Sequence, residues 1–405
     1  MSKYMKFAIS TTIGLVLLAG QALSDVRHEV LRNALVNNGL QPTVDKPLSE
    51  LGELGKEFFQ AEALSLNGEI SCQQCHLREF GSGDGIPVSA GLSSQGKGRE
   101  RVESAYRFLP RNSLALWGRG AEDFNTFFWD GRVDASSGSV VSQFGGSPPS
   151  DDPLIVAVHL PPVETVEMLD FDEVVQRYLQ EDADLASGLY AAIVENLRVK
   201  EPNLIAELAT ISSKSVDAVE FVDVAQSISA FIEEEFNIHE TDLHRFVFQG
   251  GELSEPEING GLIFYGKGRC VSCHNGPHFS DLNLHAIPFP QLGQGRNGFG
   301  IDYGQFNVTH DPADLYKFRT PPLWDVGNTA PYGHSGSVAT LEEAIVAHFD
   351  PLRLVAPSQM AKLERHEFYK AIAASGENLL SISYLEDSEI NDLISFLRLL
   401  DQPAE

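Results

Sequence analysis

Methionine is nearly missing from this chain of 405 residues: there are four, and only Met168 and Met360 lie beyond the first five positions. Cysteine is as scarce, with four, so the chain can form at most two disulfides. Basic side chains are few, 29 against 57 acids, giving a formal net charge of −28. A surface so acidic repels a phosphate backbone, which excludes nucleic acid as a ligand. After the N-terminal segment no apolar run approaches a bilayer's thickness, so no membrane span is expected in the mature chain. Strand-like alternation is scarce throughout, which leaves a mainly α fold.

What is present begins with a leader. Lys3 and Lys6 precede a mostly apolar stretch from Phe7 to Gly20, and Ala22-Leu23-Ser24 offers small residues for cleavage before Asp25. This is the pattern of a secretion signal, too short and too poorly flanked for an anchor. Residues 1–24 are therefore expected to be removed near Ser24, leaving the mature chain in a bacterial periplasm. Losing Lys3 and Lys6, and no acid, takes the charge from −28 to −30. Such a surface steers a basic or locally basic protein partner, although solubility alone accounts for it equally well.

The cysteines fall in two pairs, each closed by a histidine: Cys72-Gln73-Gln74-Cys75-His76 and Cys270-Val271-Ser272-Cys273-His274. In an oxidising compartment four cysteines would ordinarily pair, but this spacing changes the reading. Two thiols one helical turn apart can each form a thioether with a haem vinyl group, and the adjacent histidine then lies beneath the iron. A zinc site would need two such half-sites close together in the chain. A thioredoxin-like pair would need a strand-to-helix context that neither motif has. The expected cofactors are two covalently bound haem c groups.

The surroundings repeat as well. Leu54-Gly55-Lys56-Glu57-Phe58-Phe59 leads into the first motif, and Asn259 to Gly266 leads into the second, after a start signal of Ser254, Pro256 and Glu257. Each half closes with an amphipathic helix, carrying Val224, Ile228, Phe231 and Ile232 in the first and Ile390, Leu393, Ile394 and Leu397 in the second. These features predict two cytochrome c-like haem domains with separate cores and long loops, residues 25–245 and 246–405. The division is placed in the polar stretch from Asn237 to Gly251. Loops rich in Gly, Ser and Pro, from Gly81 to Gly98 and Pro288 to Gly304, are expected over the haem edges.

A second strong ligand on a haem iron favours electron transfer, whereas a vacancy favours peroxide or oxygen chemistry. No His, Met or Cys occurs between His76 and His159, so the loop after the first motif supplies no ligand and an open iron is expected. His159 and Met168 remain the residues that could reach back.

The chain resembles the bacterial di-haem cytochrome c peroxidase and MauG superfamily over almost its whole mature length. The resemblance is carried by Arg111-Asn112-Ser113, Phe128-Trp129-Asp130-Gly131-Arg132, Pro161-Pro162-Val163 through Val166-Glu167-Met168, Cys273-His274-Asn275-Gly276-Pro277, Phe318-Arg319-Thr320-Pro321 and Thr329 to Gly336. It implies that Trp129 lies between the haems and relays electrons, and that Glu167 stands above the open haem, with Glu164 as the substitute if the alignment slips. A carboxylate there can take a proton from the near peroxide oxygen and return it to the far one. The resemblance also implies a calcium ion held by Asn112, Thr329 and Pro331, whose oxygens suit that cation.

The departures from the family pattern are informative. Where the peroxidases place a methionine on the second iron and MauG a tyrosine, this chain has His348, which makes His274 and His348 the expected pair, with Met360 as the alternative. A nitrogen ligand in place of sulfur lowers the reduction potential. The loop histidine that many of the peroxidases carry after the first haem is missing, which places the chain nearer to MauG and the related enzyme MbnH. His334 matches a family histidine near the second haem; His278 and His285 are candidates to bond its propionates; His28, His239, His244, His310 and His366 read as surface or loop residues.

The resulting expectation is an enzyme that takes hydrogen peroxide at the first haem and draws electrons through the second. Its donor is a cytochrome c or cupredoxin, or a side chain of a partner protein. The alternatives are a non-catalytic di-haem electron carrier with both irons six-coordinate, and a haem-based sensor.

Overall fold

Two helix pairs organise the chain. In a computed structural model, residues 26–105, 107–145, 147–170, 185–376, 378 and 382–403 are described, and the expected leader lies outside them. Helix α1 spans 26–37. Helix α2 (Glu50–Gln60) begins at Ser49, whose hydroxyl accepts from the Gly52 N–H, and buries Leu54, Phe58 and Phe59. Then follow α3 (Pro153–Val158), α4 (Leu185–Lys200), α5 (Pro202–Ile211) and α6 (Phe221–Glu235). The i, i+4 spacing of Val224, Ile228 and Ile232 turns one face of α6 inward, where it crosses α2. The crossing is so close that a Cβ on Gly55 would sit 1.8 Å from the Ser227 carbonyl oxygen, so only glycine fits.

The second half repeats this device. Helix α7 (Asp242–Phe248) precedes α8 (Glu255–Tyr265), and after α9 (Phe306–Thr309), α10 (Leu341–Ala347) and α11 (Lys362–Ala374) the chain ends on α12 (Asp387–Leu397). Where α8 crosses α12, a Cβ on Gly260 would lie 2.0 Å from the Asp392 carbonyl oxygen. The expectation of a mostly helical chain with a duplicated lead-in and closing helix is met.

Strands are short. Among the described residues β1 (Thr126–Phe127), β2 (Val133–Asp134) and β3 (Val141–Ser142) form an antiparallel sheet, and β4 (Leu284–Ala286) pairs with β5 (Lys317–Arg319). The turn between β1 and β2 is the Phe128-Trp129-Asp130-Gly131-Arg132 segment. Phe128 at φ 64° and Gly131 at φ 68° give it its sharp shape.

The expectation of separate cores is corrected. Among the described residues the main cluster of buried apolar side chains runs from Leu31 to Leu400 and crosses both halves, with a small second cluster at Leu169 and Leu189. One cause is α1, which packs on the second half although it comes first in sequence. Leu31 is fully buried against Gly261, Arg27 pairs with Glu255 at 2.6 Å, and Arg32 donates to the carbonyls of Phe246 and Gly251. Leu31 and Leu35 are both fully buried, and burying each contributes about 1.5–3 kcal/mol toward docking the helix. Residue 245, where the sequence suggests a division, lies inside α7 rather than in a linker. His244 beside it is buried and stacked on Trp324 with ring centres 5.3 Å apart, a correction to its reading as a surface residue.

Candidate active site and its two cavities

Each Cys-x-x-Cys-His motif folds as one tight turn after its lead-in helix. In the first, the His76 N–H bonds the Cys72 carbonyl at 3.1 Å; in the second, the His274 N–H bonds the Cys270 carbonyl at 2.8 Å. All four thiols are unpaired, and no disulfide joins them. Cys72, Cys75 and His76 line a cavity of about 210 Å³, and Cys270, Cys273 and His274 line another of about 230 Å³. The Nδ1 of His76 meets the Ser82 carbonyl oxygen at 2.8 Å, and that of His274 meets the Phe279 carbonyl oxygen at 2.9 Å. This contact fixes each ring and leaves Nε2 as the nitrogen open to a metal. Burial pushes both imidazoles down to about 4, so they stay neutral and able to ligate. Apolar walls, two thiols and one oriented imidazole per cavity are what a covalently held haem requires.

The first cavity faces two carboxyls on the segment after α3. Glu167 stands half-buried in its wall and makes no hydrogen bond or ion pair among the described residues. Burial, and then the neighbouring Glu164, push its carboxyl up to about 7, near the ideal for a group that both takes and returns a proton. Glu164 is engaged instead, by Arg132 at 3.5 Å and by Arg296 at 3.4 Å. Val166, between them, is held at φ 72°, a strained value for a β-branched residue. Its carbonyl accepts from the Leu92 N–H at 2.8 Å, and a Cβ on Gly91 would come within 2.1 Å of that oxygen. Met168 also lines this cavity, whereas His159 is buried elsewhere, against Tyr190 and Phe221.

Asn112, Ser113, Leu114 and Trp129 line both cavities and so form a common wall. The Trp129 indole N–H donates to the Asn112 carbonyl at 3.0 Å, and the Trp129 carbonyl accepts from the Arg319 N–H at 2.8 Å. Beside it Arg111 bridges Asp130 and Asp302, both at 2.7 Å, and Arg132 grips Asp130 from the other side. Burial alone would raise Asp130, but Arg111 and Arg132 outweigh it and hold the carboxyl well below the usual carboxylate range. Every charge in this buried network has a partner, which a low-dielectric setting demands.

In the second cavity His348, at the end of α10, faces His274 with ring centres 6.3 Å apart. Imidazole nitrogens bind first-row metals at about 2 Å, so two rings that shared one metal would have their centres about 6 Å apart, and this pair fits that requirement. His348 Nδ1 meets the Ala344 carbonyl oxygen at 2.8 Å, and burial keeps the ring's pKa below the ordinary value. Met360 lies instead in a separate small cavity of about 40 Å³. His334 and His285 line the second cavity, the first stacked on Phe318 and the second bonded to Asp281 at 2.8 Å. His278 turns away to Asp123. Asn112, Thr329 and Pro331 also converge here, the Asn112 amide donating to the Pro331 carbonyl at 2.7 Å. A cation bound by them would need that amide turned to present its oxygen.

One residue of the first cavity has no signal in the sequence. Arg296 comes from the Pro288–Gly304 loop of the second half, and only the tertiary fold carries it across to Glu164.

The fold and the paired cavities describe a di-haem redox protein, and comparison with known proteins defines the class further. The family model for di-haem cytochrome c peroxidases matches residues 49–252, and the chain belongs to that family. It is an enzyme of the peroxide-reactive di-haem type. A cytochrome-c peroxidase, IdrP2, of Denitromonas iodatirespirans is 27% identical over 97% of this chain and 90% of its own length. The methylamine utilization protein MauG of Methylorubrum extorquens is 26% identical over 73% of this chain and 67% of its own. Among solved structures, a MauG-like protein associated with microbial copper homeostasis shares the fold, with a TM-score of 0.62 and 24% identity over 89% of this chain and 92% of that one. Among the described residues no helix is long and apolar enough to cross a membrane.

Proposed function

We propose that this protein is a periplasmic oxidoreductase with two covalently bound c-type haems. The half of the chain that precedes α7 forms the peroxide-reactive haem domain and the half from α8 onward the electron-transfer haem domain, over a core that the two share. The observation that carries this reading is the asymmetry of two cavities joined by Trp129: in the second His348 faces His274, while the first has no second histidine in its lining and carries the unpaired carboxyl of Glu167 in its wall. Haem bound at Cys72, Cys75 and His76 supplies the metal that takes the peroxide and the electrons that cleave its O–O bond. The overall balance is one hydrogen peroxide, two protons and two electrons giving two waters.

The protein's own residues then have definite tasks. Glu167 accepts the proton of the near peroxide oxygen and hands it to the far one, so that the far oxygen leaves as water. Trp129, locked by its hydrogen bond to Asn112, carries electrons from the second cavity to the first. His348, facing His274, would be the second ligand of a haem held at Cys270 and Cys273, which would close that iron to peroxide and lower its potential. Asn112, with its amide turned to present oxygen, and the carbonyls of Thr329 and Pro331 would hold a calcium ion beside the second cavity. The electrons come from a small cytochrome c or cupredoxin, or from a side chain of a protein substrate, guided by the acidic surface.

The test is turnover of the purified di-haem protein with hydrogen peroxide, with and without a reduced cytochrome c. Steady oxidation of the cytochrome supports the peroxidase form. A long-lived oxidised state with negligible turnover supports modification of a partner protein. Two low-spin haems inert to peroxide would reduce the protein to an electron carrier, with Met168 on the first iron.

A further inference from the structure

Three arginines face three carboxylates around the first cavity: Arg111, Arg132 and Arg296 against Asp130, Asp302 and Glu164. Arg111 and Arg132 are buried or nearly so, and Asp130 and Asp302 tie them to the shared wall. Arg296 differs in origin and setting. It belongs to the second half, reaches the cavity of the first, keeps 31% of its side chain exposed, and has Glu164 as its ion-pair partner at 3.4 Å. Its position is preset. The Asn297 side chain bonds Asn307 at 2.7 Å and accepts from the Tyr303 N–H at 2.9 Å, and a Cβ on Gly295 would strike the Ile301 carbonyl at 2.1 Å. Asp302, a few residues on, is clamped by Arg111 through two hydrogen bonds. The loop therefore delivers a guanidinium to the same wall as the free carboxyl of Glu167.

We propose that Arg296 is the anion-binding residue of the first cavity, supplied across the halves to stabilise the negative charge of the ligand on the first iron. This rests on the peroxide reading of that cavity. When hydrogen peroxide passes a proton to Glu167, the species left behind is the hydroperoxide anion, and the protonated carboxyl no longer repels it. A guanidinium whose one hydrogen bond among the described residues is the 3.4 Å contact to Glu164 has donors to spare, and it stabilises the anion by charge and hydrogen bonding. Glu164 sets the strength of this effect, since it neutralises part of the charge that Arg296 and Arg132 present.

Two variants of opposite sign test the proposal, with fluoride as the anionic probe and carbon monoxide as the neutral one, both on the di-haem protein. Arg296→Gln is expected to weaken fluoride binding to the ferric first haem by about tenfold, the scale of one charged hydrogen bond at a partly exposed site. Arg296→Lys should recover most of that loss. Glu164→Gln should tighten fluoride binding several-fold, an outcome that loosened packing cannot produce. Carbon monoxide affinity of the reduced protein should stay within about twofold in all three, because a neutral ligand does not depend on the cation. Fluoride binding unchanged in Arg296→Gln, or fluoride and carbon monoxide weakened together, would overturn the assignment. A parent protein that takes neither ligand would instead remove the open-iron reading, and this role with it.

Discussion

Trp129 donates its indole N–H to the Asn112 carbonyl at 3.0 Å, and both residues belong to the wall that separates the two cavities. The bond locks an oxidisable ring between the two sites, the position the proposed relay requires. Trp129→Phe keeps an aromatic ring but loses the donor and the easily oxidised indole. Electron transfer between the haems should slow at least about tenfold, equivalent to about 1.4 kcal/mol of barrier. Peroxide binding at the first haem should be unchanged. Stopped-flow absorption, following donor oxidation and peroxide binding separately, checks both; an unaltered transfer rate assigns the relay elsewhere.

The proton shuttle predicts a pH dependence with a definite sign. Burial and Glu164 raise the Glu167 carboxyl to about 7, so it is protonated in acid and becomes a base as pH rises. The peroxide reaction should therefore accelerate as pH increases through about 7. Glu167→Gln should slow it by about 10²–10⁴-fold and flatten that limb, the usual contribution of a positioned acid–base group. A glutamine variant that keeps the limb would transfer the role to Glu164.

The facing rings of His274 and His348 predict a six-coordinate second haem. His348→Ala should remove the low-spin signature of one haem by electron paramagnetic resonance, while Met360→Leu should leave it in place, because Met360 lines another cavity. The reverse pattern would make the sulfur the ligand.

The helix crossings at Gly55 and Gly260 predict matched losses of stability. Gly55→Ala and Gly260→Ala each force a Cβ into a backbone carbonyl and should cost about 1–3 kcal/mol, as overpacking does. Gly376, with open space around its Cα, serves as the control. Guanidinium denaturation of the di-haem protein measures all three, and equal midpoints would contradict the packing argument.

Much of this was legible in the sequence because it is local. The Cys-x-x-Cys-His turns, the lead-in helices and the amphipathic closing helices are each encoded within a dozen or so residues, and periodicity reads them directly. The pairing of His348 with His274 needed the family resemblance, since no local signal separates a ligand from a core histidine on α10. The shared core, the packing of α1 on α8, the burial of His244 against Trp324 and the reach of Arg296 to Glu164 were not legible. Each depends on contacts between segments far apart in the chain, to which composition and periodicity are blind.

The claim on which the account stands is that one iron is open and the other closed. Titrating the dithionite-reduced di-haem protein with carbon monoxide tests it most directly, because that ligand binds only an iron with a free position. One carbon monoxide should bind for every two haems, and its bound C–O stretch should shift in the Glu167→Gln variant, which assigns it to the first cavity. No binding, or binding at both irons, would contradict it.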